Sequence, residues 1–128
     1  MKRHAVLTSA APEPIGPYSQ AATMPGLSLL FLSGQAPVDP STGKLVEGGA
    51  EDQTRQAFHN LAQVLSEAGL GWDNVVKVNV YLTAMADFEA MNSVYQETFS
   101  EPFPARTTVA VAGLPLGARV EIELVAVR

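Results

Sequence analysis

The spacing of apolar residues changes along this chain between the two-residue period of a β-strand and the period of about 3.6 residues of an α-helix. The first helical stretch starts near Glu51 and places five apolar residues on one face, namely Phe58, Leu61, Ala62, Leu65 and Ala68. The acids Glu51 and Asp52 suit the positive end of a helix dipole, and Gly69 is a candidate C-terminal cap. The pattern predicts an amphipathic helix that begins at Glu51 and ends before Gly69.

A second amphipathic helix is predicted over Asp87–Phe99. Its apolar stripe consists of Phe88, Met91, Tyr95 and Phe99. Pro102 and Pro104 follow, and proline cannot continue a helix. The chain therefore carries two helices, separated by a segment of different period.

Five segments are predicted as strands because they are short and rich in apolar or β-branched residues: Lys2–Leu7, Leu27–Ser33, Val75–Leu82, Arg106–Val111 and Val120–Val127. The alternation within the third of them predicts one face formed by Val76, Val78, Val80 and Leu82. Three prolines exclude regular structure from Ala10–Pro17. The Gly- and Pro-containing stretch Ala36–Gly49 is predicted as a loop or a loose hairpin.

The order of these elements is typical of an α+β fold, with one mixed sheet and two helices packed on one of its faces. The length of 128 residues predicts a single domain over 1–128. In the last strand Val125 and Val127 share a face with Glu121 and Glu123, so the sheet face away from the helices is expected to be partly apolar. Burying such a patch favours an oligomer.

Composition excludes several functions. The net charge is −5, with no run of basic residues beyond Lys2 and Arg3, so nucleic acid is an unlikely partner. The chain has no Cys and only two histidines, His4 and His59, and no metal-ligand spacing appears, so no metal site is expected. No apolar run approaches the ~20 residues of a membrane span, and the apolar stretch after Arg3 is too short for a signal peptide. The expectation is a soluble, cytoplasmic protein.

Arg106 is the first candidate site residue, because a guanidinium is the side chain best shaped to grip a carboxylate with two hydrogen bonds. Thr108 shares its strand face, which places a hydroxyl beside the guanidinium. The alternative is a surface arginine at the end of a strand.

A carboxylate on the partly apolar sheet face is the second candidate. Partial desolvation would raise its pKa and make it a better proton acceptor near neutral pH. Glu121 and Glu123 both satisfy this description, and the pattern alone does not choose between them. The alternative is a solvated carboxylate, or an ion-pair partner of Arg119 or Arg106.

Three further positions are candidates for binding. Gly16 and Pro17 fix a bend that presents Tyr18, whose alternative role is packing. Ser33 and Gly34 end a buried strand, where glycine permits a ligand to approach the backbone closely, although an ordinary turn gives the same pattern. Asn92 lies inside the second helix, where asparagine is unfavourable unless it is simply at the surface.

Together these motifs resemble the reactive-intermediate deaminase family, also called the Rid or YjgF family. The matching segments are IGPYSQA, FLSGQAPVDPSTGKL, EAGL, VVKVNVYL, DFEAMNSVY and FPARTTVAVAGLPLGARVEIELVAV, which span nearly the whole chain. The resemblance implies a chorismate-mutase-like fold and a homotrimer with sites in the clefts between subunits. It also implies that Arg106 binds the substrate carboxylate, that Glu121 rather than Glu123 positions a water, and that Tyr18, Ser33 and Asn92 line the pocket.

The function that the resemblance implies is hydrolytic deamination of 2-enamine and 2-imine acids, such as 2-aminoacrylate and 2-iminobutyrate, to 2-keto acids and ammonia, without a cofactor. Thr108 stands where some deaminases of the family have Cys, so a thiol nucleophile is excluded here, and Thr107 replaces a smaller residue. One alternative is a non-catalytic module that binds small carboxylates or acts like a chaperone. The other is RNA cleavage or translation inhibition, which the charge of −5 disfavours.

One spatial expectation underlies the deaminase hypothesis. Arg106 and Glu121 should converge on a sheltered hollow between neighbouring subunits. A structure that placed them on opposite sides of the sheet, or that left both open to bulk solvent in the assembled particle, would overturn it.

Overall fold

The helices form where the helical period predicts them. In the computed structural model, which describes residues 2–128, α1 is Ala50–Glu67 and α2 is Phe88–Thr98. Asp52 accepts a hydrogen bond from the backbone N–H of Gly49 (3.2 Å) and so caps the start of α1. At its end Gly69 has a φ of +75°, and the N–H of Leu70 donates to the carbonyl of Leu65 (2.9 Å). Both predicted helices are confirmed, with ends within two residues of the expected ones.

Residues 2–128 form eight strands, whose bounds are β1 His4–Val6, β2 Ala21–Thr23, β3 Leu29–Gln35, β4 Val38–Asp39, β5 Lys44–Leu45, β6 Val75–Leu82, β7 Ala105–Ala110 and β8 Val120–Val127. Six of them make one sheet in the order β1-β2-β3-β8-β6-β7, in which β6 and β7 are parallel and the other neighbours antiparallel. The strands β4 and β5 form a separate hairpin, as predicted for Ala36–Gly49. The mixed sheet of the predicted α+β fold is therefore confirmed.

The short strand β2 has no counterpart among the predicted strands. Its three residues are Ala21, Ala22 and Thr23, and such a short segment has no detectable period. It exists because β1 and β3 both pair with it. This strand continues the sheet from β3 toward the N-terminal segment.

The start of β6 corrects the predicted burial. Val76 is 45% exposed, whereas Val75 is only 6% exposed. The pairing of β6 with β8 shifts between Val75 and Lys77, so one extra residue is accommodated there and the alternation changes phase. From Val78 onward the predicted faces are correct.

One face of the sheet is covered by both helices and holds the core. Its largest buried side chains include Leu30, Val78, Val80, Leu82, Ile122 and Leu124. Above them, Phe58 of α1 contacts the rings of Trp72, Tyr95 and Phe99 in edge-on geometry. We call this side of the sheet the helix-covered face.

The opposite side, which we call the outer face, carries both polar and apolar side chains. Phe31 is 48% exposed, and Val125 lies opposite it across the β3–β8 pair. Val109 of β7 is 40% exposed. The predicted partly apolar outer face is therefore confirmed. Neither helix in the described part of the chain is long and apolar enough to cross a membrane.

Candidate functional site

Glu121 projects from β8 onto the outer face and packs against a glycine of β3. A Cβ atom built on Gly34 would lie 2.9 Å from Oε2 of Glu121, a distance that real Cβ atoms do not tolerate. The absence of a side chain at Gly34 therefore lets the carboxylate lie against the backbone. Burial, and then the negative charge of Glu123, raise the pKa of Glu121 above its usual value.

Glu123 lies two residues further along the same strand face, but its carboxylate is occupied. Its Oε1 accepts a hydrogen bond from the hydroxyl of Tyr81 and another from Nδ2 of Asn79 (3.1 Å), both on β6. The hydrogen bond to Glu123, burial and nearby negative charge raise the pKa of Tyr81 to about 12. Glu121, in contrast, accepts no hydrogen bond from any residue of 2–128, so the structure distinguishes two glutamates that alternation left equivalent.

A cavity of about 780 Å³ opens beside Glu121. Tyr18, Ser33 and Gly34 line it, so the structure brings these three predicted site residues together with Glu121. Its charged lining consists of three carboxylates, Glu13, Glu121 and Glu123, and none of the lining residues within 2–128 is Lys or Arg. The cavity therefore holds a proton acceptor but lacks a cation of its own.

The polar groups of Tyr18 and Ser33 are partly engaged in fixing the cavity wall. The hydroxyl of Ser33 donates to the carbonyl of Ser19 (2.6 Å) and so fastens β3 to the segment that carries Tyr18. The hydroxyl of Tyr18 accepts from the backbone N–H of Ile15 (3.4 Å), while its side chain remains exposed. Ser33 is thus placed as a wall-fixing residue, and Tyr18 as a side chain at the cavity mouth.

Gln20 was missed by the motif analysis and determines the position of the N-terminal wall. It is 2% exposed, its Oε1 accepts from the N–H of Thr8 (2.7 Å), and its Nε2 donates to the carbonyl of Pro12 (2.8 Å). One buried amide therefore fixes a segment that has no regular structure of its own. A glutamine following the bend at Gly16 and Pro17 was the available sequence signal.

Leu116 was missed as well. It holds a φ of +63°, which side chains other than glycine rarely adopt, and it is 56% exposed at the cavity lining. Such strain accumulates beside functional sites. Since Gly117 follows it with a φ of +73°, the glycine gave the only local signal of an unusual turn.

Arg106 lies at the sheet edge on β7 and is held by α2. Its Nη1 donates to Oδ1 of Asn92 (2.7 Å), and its guanidinium lies 4.5 Å from the ring centre of Tyr95 and 5.5 Å from that of Phe88. Thr108 lies on the same strand face, and its buried hydroxyl has no hydrogen-bond partner within the described chain. Arg106 and Thr108 share a strand face, as alternation predicted, and the contact between Arg106 and Asn92 is one that strand alternation could not predict.

The buried hydroxyl of Tyr95 also lacks a partner within residues 2–128. Burial raises its pKa, and the positive charge of Arg106 partly offsets that rise. The Arg106 cluster therefore contains two hydroxyl groups whose hydrogen-bonding capacity is unused.

The two groups of candidate residues occupy opposite faces of the sheet. Arg106 lies opposite Val78 in the β6–β7 pair, on the helix-covered face, whereas Glu121 lies opposite Tyr81 in the β6–β8 pair, on the outer face. Arg106 and Glu121 therefore lie on opposite sides of the sheet, so within one chain the arrangement that counts against their convergence is the one observed. Two copies must meet for these groups to share a site.

The alternative ion pairs of Glu121 are not formed. Arg119 makes a two-point contact with Asp87 instead (2.6 and 3.2 Å), which fixes the turn before α2. Arg106 is engaged by Asn92. Neither basic residue neutralises Glu121.

No group of three metal-ligating side chains occurs among residues 2–128. His59 is exposed on α1 and His4 is exposed on β1. The described residues therefore provide no set of side chains to which a metal ion could be assigned.

The chain matches known proteins over nearly all of its length. The model of the family described as Endoribonuclease L-PSP matches residues 8–128. A human protein named 2-iminobutanoate/2-iminopropanoate deaminase is 43% identical over 126 residues, which cover 98% of this chain and 90% of the human protein.

Two solved structures have nearly the same fold. The crystal structure of RidA from an Antarctic Psychrobacter has a TM-score of 0.92 and 40% identity, and the match covers 98% of this chain and 99% of that one. The crystal structure of TdcF from E. coli with bound serine has a TM-score of 0.90 and 38% identity, with 98% of each chain covered. This chain therefore belongs to the Endoribonuclease L-PSP family, which is the Rid/YjgF family recognised from its motifs.

Proposed function

We propose that this protein hydrolyses 2-imino acids and their enamine tautomers, of the 2-iminobutyrate and 2-aminoacrylate type, to 2-keto acids and ammonia. The observation that carries the proposal is the Glu121 carboxylate, which is half-buried, faces a cavity and accepts no hydrogen bond within residues 2–128. The deaminase name of the human relative and the serine bound to TdcF support a small amino-acid-like ligand. The protein would act as a single domain in the cytoplasm.

Glu121 supplies the acid–base step in this proposal. A water held by its carboxylate attacks the carbon of the protonated imine, the water proton passes to Glu121, and the electron pair of the C=N bond moves to nitrogen to leave an amine, which then takes the proton back from Glu121. The C–N bond then breaks, ammonia leaves, and loss of the hydroxyl proton gives the keto acid. The raised pKa of Glu121 makes its carboxylate a stronger proton acceptor than that of an ordinary exposed glutamate. Positioned acid–base catalysis contributes roughly 10²–10⁴-fold, and imines already hydrolyse slowly in water.

Arg106 supplies the grip on the substrate carboxylate. Asn92 and two aromatic rings fix its guanidinium, and no carboxylate of residues 2–128 forms a salt bridge with it. The cavity beside Glu121 has only negative charges, so a cation from another chain would have to complete it. Thr108, with an unused hydroxyl on the same strand face, would add a neutral donor for the substrate.

The protein would therefore work as a homotrimer, and each subunit would have the chorismate-mutase-like fold that the resemblance implies. An interface between the Arg106 edge of one copy and the Glu121 face of the next joins two different surfaces, and such interfaces form a ring of three when the rotation between copies is one third of a turn. The exposed Phe31 and Val109 give the outer face apolar area to bury in that contact. Each ring position would then carry one complete site.

The direct test is keto-acid release from freshly generated 2-iminobutyrate, after subtraction of the uncatalysed rate. We expect saturable acceleration that is proportional to protein concentration. Glu121→Gln keeps the side-chain shape but removes the base, and it should lower kcat/KM by roughly 10²-fold or more. No acceleration by the wild-type protein would refute the deaminase proposal. Calorimetric binding of a keto acid without any acceleration would instead favour a non-catalytic binding protein.

Gly34→Ala should damage catalysis through the position of Glu121. The new Cβ would meet the carboxylate at 2.9–3.0 Å, so the Glu121 side chain must move away from the β3 backbone. A displacement on the order of 1 Å at a reacting group can cost about 10²-fold, and we expect at least a tenfold loss in kcat/KM. Gly113→Ala is the matched control, because a Cβ there meets nothing within 4 Å and φ is not in the left-handed region. Equal activity of the two variants would contradict this role of Gly34.

A further inference from the structure

The mechanism above leaves unused a second carboxylate in the cavity wall. Glu123 lies on the same strand face as Glu121, lines the same cavity, and is anchored through Oε1 by two side chains of β6. Both donors come from the neighbouring strand, so the Glu123 carboxylate is fixed against the sheet surface. Its arrangement is that of a fixed charge beside the proposed base.

We propose that Glu123 is a positioning residue whose carboxylate, held in place by Tyr81 and Asn79, keeps Glu121 a strong proton acceptor. The inference rests on the proposed function of Glu121. It assigns Glu123 no contact with the reacting atoms.

The chemistry of the two donors supports this role. The hydroxyl of Tyr81 and the amide of Asn79 are both neutral, so they orient the Glu123 carboxylate without cancelling its charge. A Lys or Arg at either position would form an ion pair and remove the negative field from Glu121. Because the pKa of Tyr81 is raised to about 12, the phenol remains a donor throughout the neutral range.

Among residues 2–128 the charged groups that line the cavity with Glu121 are Glu13 and Glu123, and the Arg106 of a neighbouring copy would join them in the proposed assembly. On β3 the neighbours are the uncharged Ser33 and Gly34, and the N-terminal wall contributes Glu13 and Tyr18. On β6 the phenol of Tyr81 is neutral, and the ammonium of Lys77 donates to Thr107 (2.8 Å), toward the edge strand and away from β8.

At the start of β8 the guanidinium of Arg119 is held by Asp87. The turn Pro115–Gly117 carries no charge. The negative charge that acts on Glu121, and raises its pKa after burial, is that of Glu123.

Glu123→Gln removes the negative charge of the side chain and keeps its shape. The glutamine Oε1 still accepts from Tyr81 and Asn79, but the negative charge is gone. A base must be unprotonated, so activity falls as the pH drops through the pKa of Glu121. Removing the neighbouring anion lowers that pKa, and the acidic limb of the pH profile of kcat/KM should move to lower pH. Glu123→Asp retains the charge and should leave the limb close to its wild-type position.

A second readout does not depend on catalysis. The 13Cδ resonance of Glu121, assigned by its absence from the spectrum of Glu121→Gln, reports the carboxyl titration directly. Its midpoint should move to lower pH in Glu123→Gln and stay close to wild type in Glu123→Asp. If the midpoint moves but wild-type protein does not hydrolyse 2-iminobutyrate, the proposed function fails and the role of Glu123 stands. If wild type is active and Glu123→Gln leaves both the midpoint and the acidic limb unchanged, the role of Glu123 is overturned.

Discussion

Arg106→Ala should abolish nearly all enzymatic acceleration of 2-iminobutyrate hydrolysis. A guanidinium that grips a carboxylate makes two charge-assisted hydrogen bonds, each worth roughly 1.5–3 kcal/mol. Their combined loss corresponds to a fall in kcat/KM of about 10²–10⁴-fold. The measurement is the initial rate of keto-acid release at several substrate concentrations, corrected for spontaneous hydrolysis.

Two variants make this result specific. Arg106→Lys keeps the positive charge but loses the planar fork, so it should recover only part of the lost activity. Arg55→Ala is the matched control, because Arg55 is an exposed arginine paired with Glu51 and Glu97 on the helices, far in sequence from either candidate cluster. Exposed salt bridges contribute little to the free energy of unfolding, so we expect Arg55→Ala to remain folded and fully active. If Arg106→Ala were as active as Arg55→Ala, Arg106 would have no part in substrate binding.

Two inactive variants should restore activity when they are assembled together. Arg106→Ala and Glu121→Gln each destroy one half of the proposed site, and the halves lie on opposite faces of the sheet. In mixed rings, some interfaces combine the intact Arg106 of one copy with the intact Glu121 of the next. Random equimolar assembly should then give about one quarter of the wild-type rate. The experiment refolds the two variants from a denatured mixture and measures keto-acid release.

A mixture of one variant with the wild-type protein is the control for this experiment. An equimolar mixture of Arg106→Ala with wild type should give about half of the wild-type rate, because every site needs one intact Arg106 and all copies keep Glu121. Variants that are refolded separately and then combined without exchange should remain inactive. If the half-rate is obtained in the control while the two-variant mixture stays at baseline, Arg106 and Glu121 do not share a site across subunits.

The local periods in the sequence predict most of the architecture. Both helices and the long strand β8 extend over enough residues for their period to be recognised, and their caps are short-range contacts. The local periods do not indicate which strands pair with each other. The short β2 and the extra residue between Val75 and Lys77 arise from the register with neighbouring strands, which is a tertiary property.

In the candidate site too, local periods predict some features, and the others depend on contacts between distant strands. Alternation places Glu121 and Glu123 on one face, but the difference between them comes from Tyr81 and Asn79, whose separations from Glu123 are 42 and 44 residues. The side of the sheet on which Arg106 lies depends on the parallel register of β7 with β6. Motif resemblance selected Arg106 and Glu121 as candidates, and only the strand register showed that one chain keeps them on opposite faces.

The position of β7 has a consequence for handling the protein. Within residues 2–128 this strand pairs on one side only, with β6, so its other side presents open backbone donors and acceptors to any extended chain that approaches. Natural sheets protect such borders with inward-pointing charges, and Arg106 is a charge of that kind. In chains that are not assembled, its removal would therefore leave the border open to edge-to-edge pairing, and stocks of that variant should cloud on prolonged storage well before those of the parent protein.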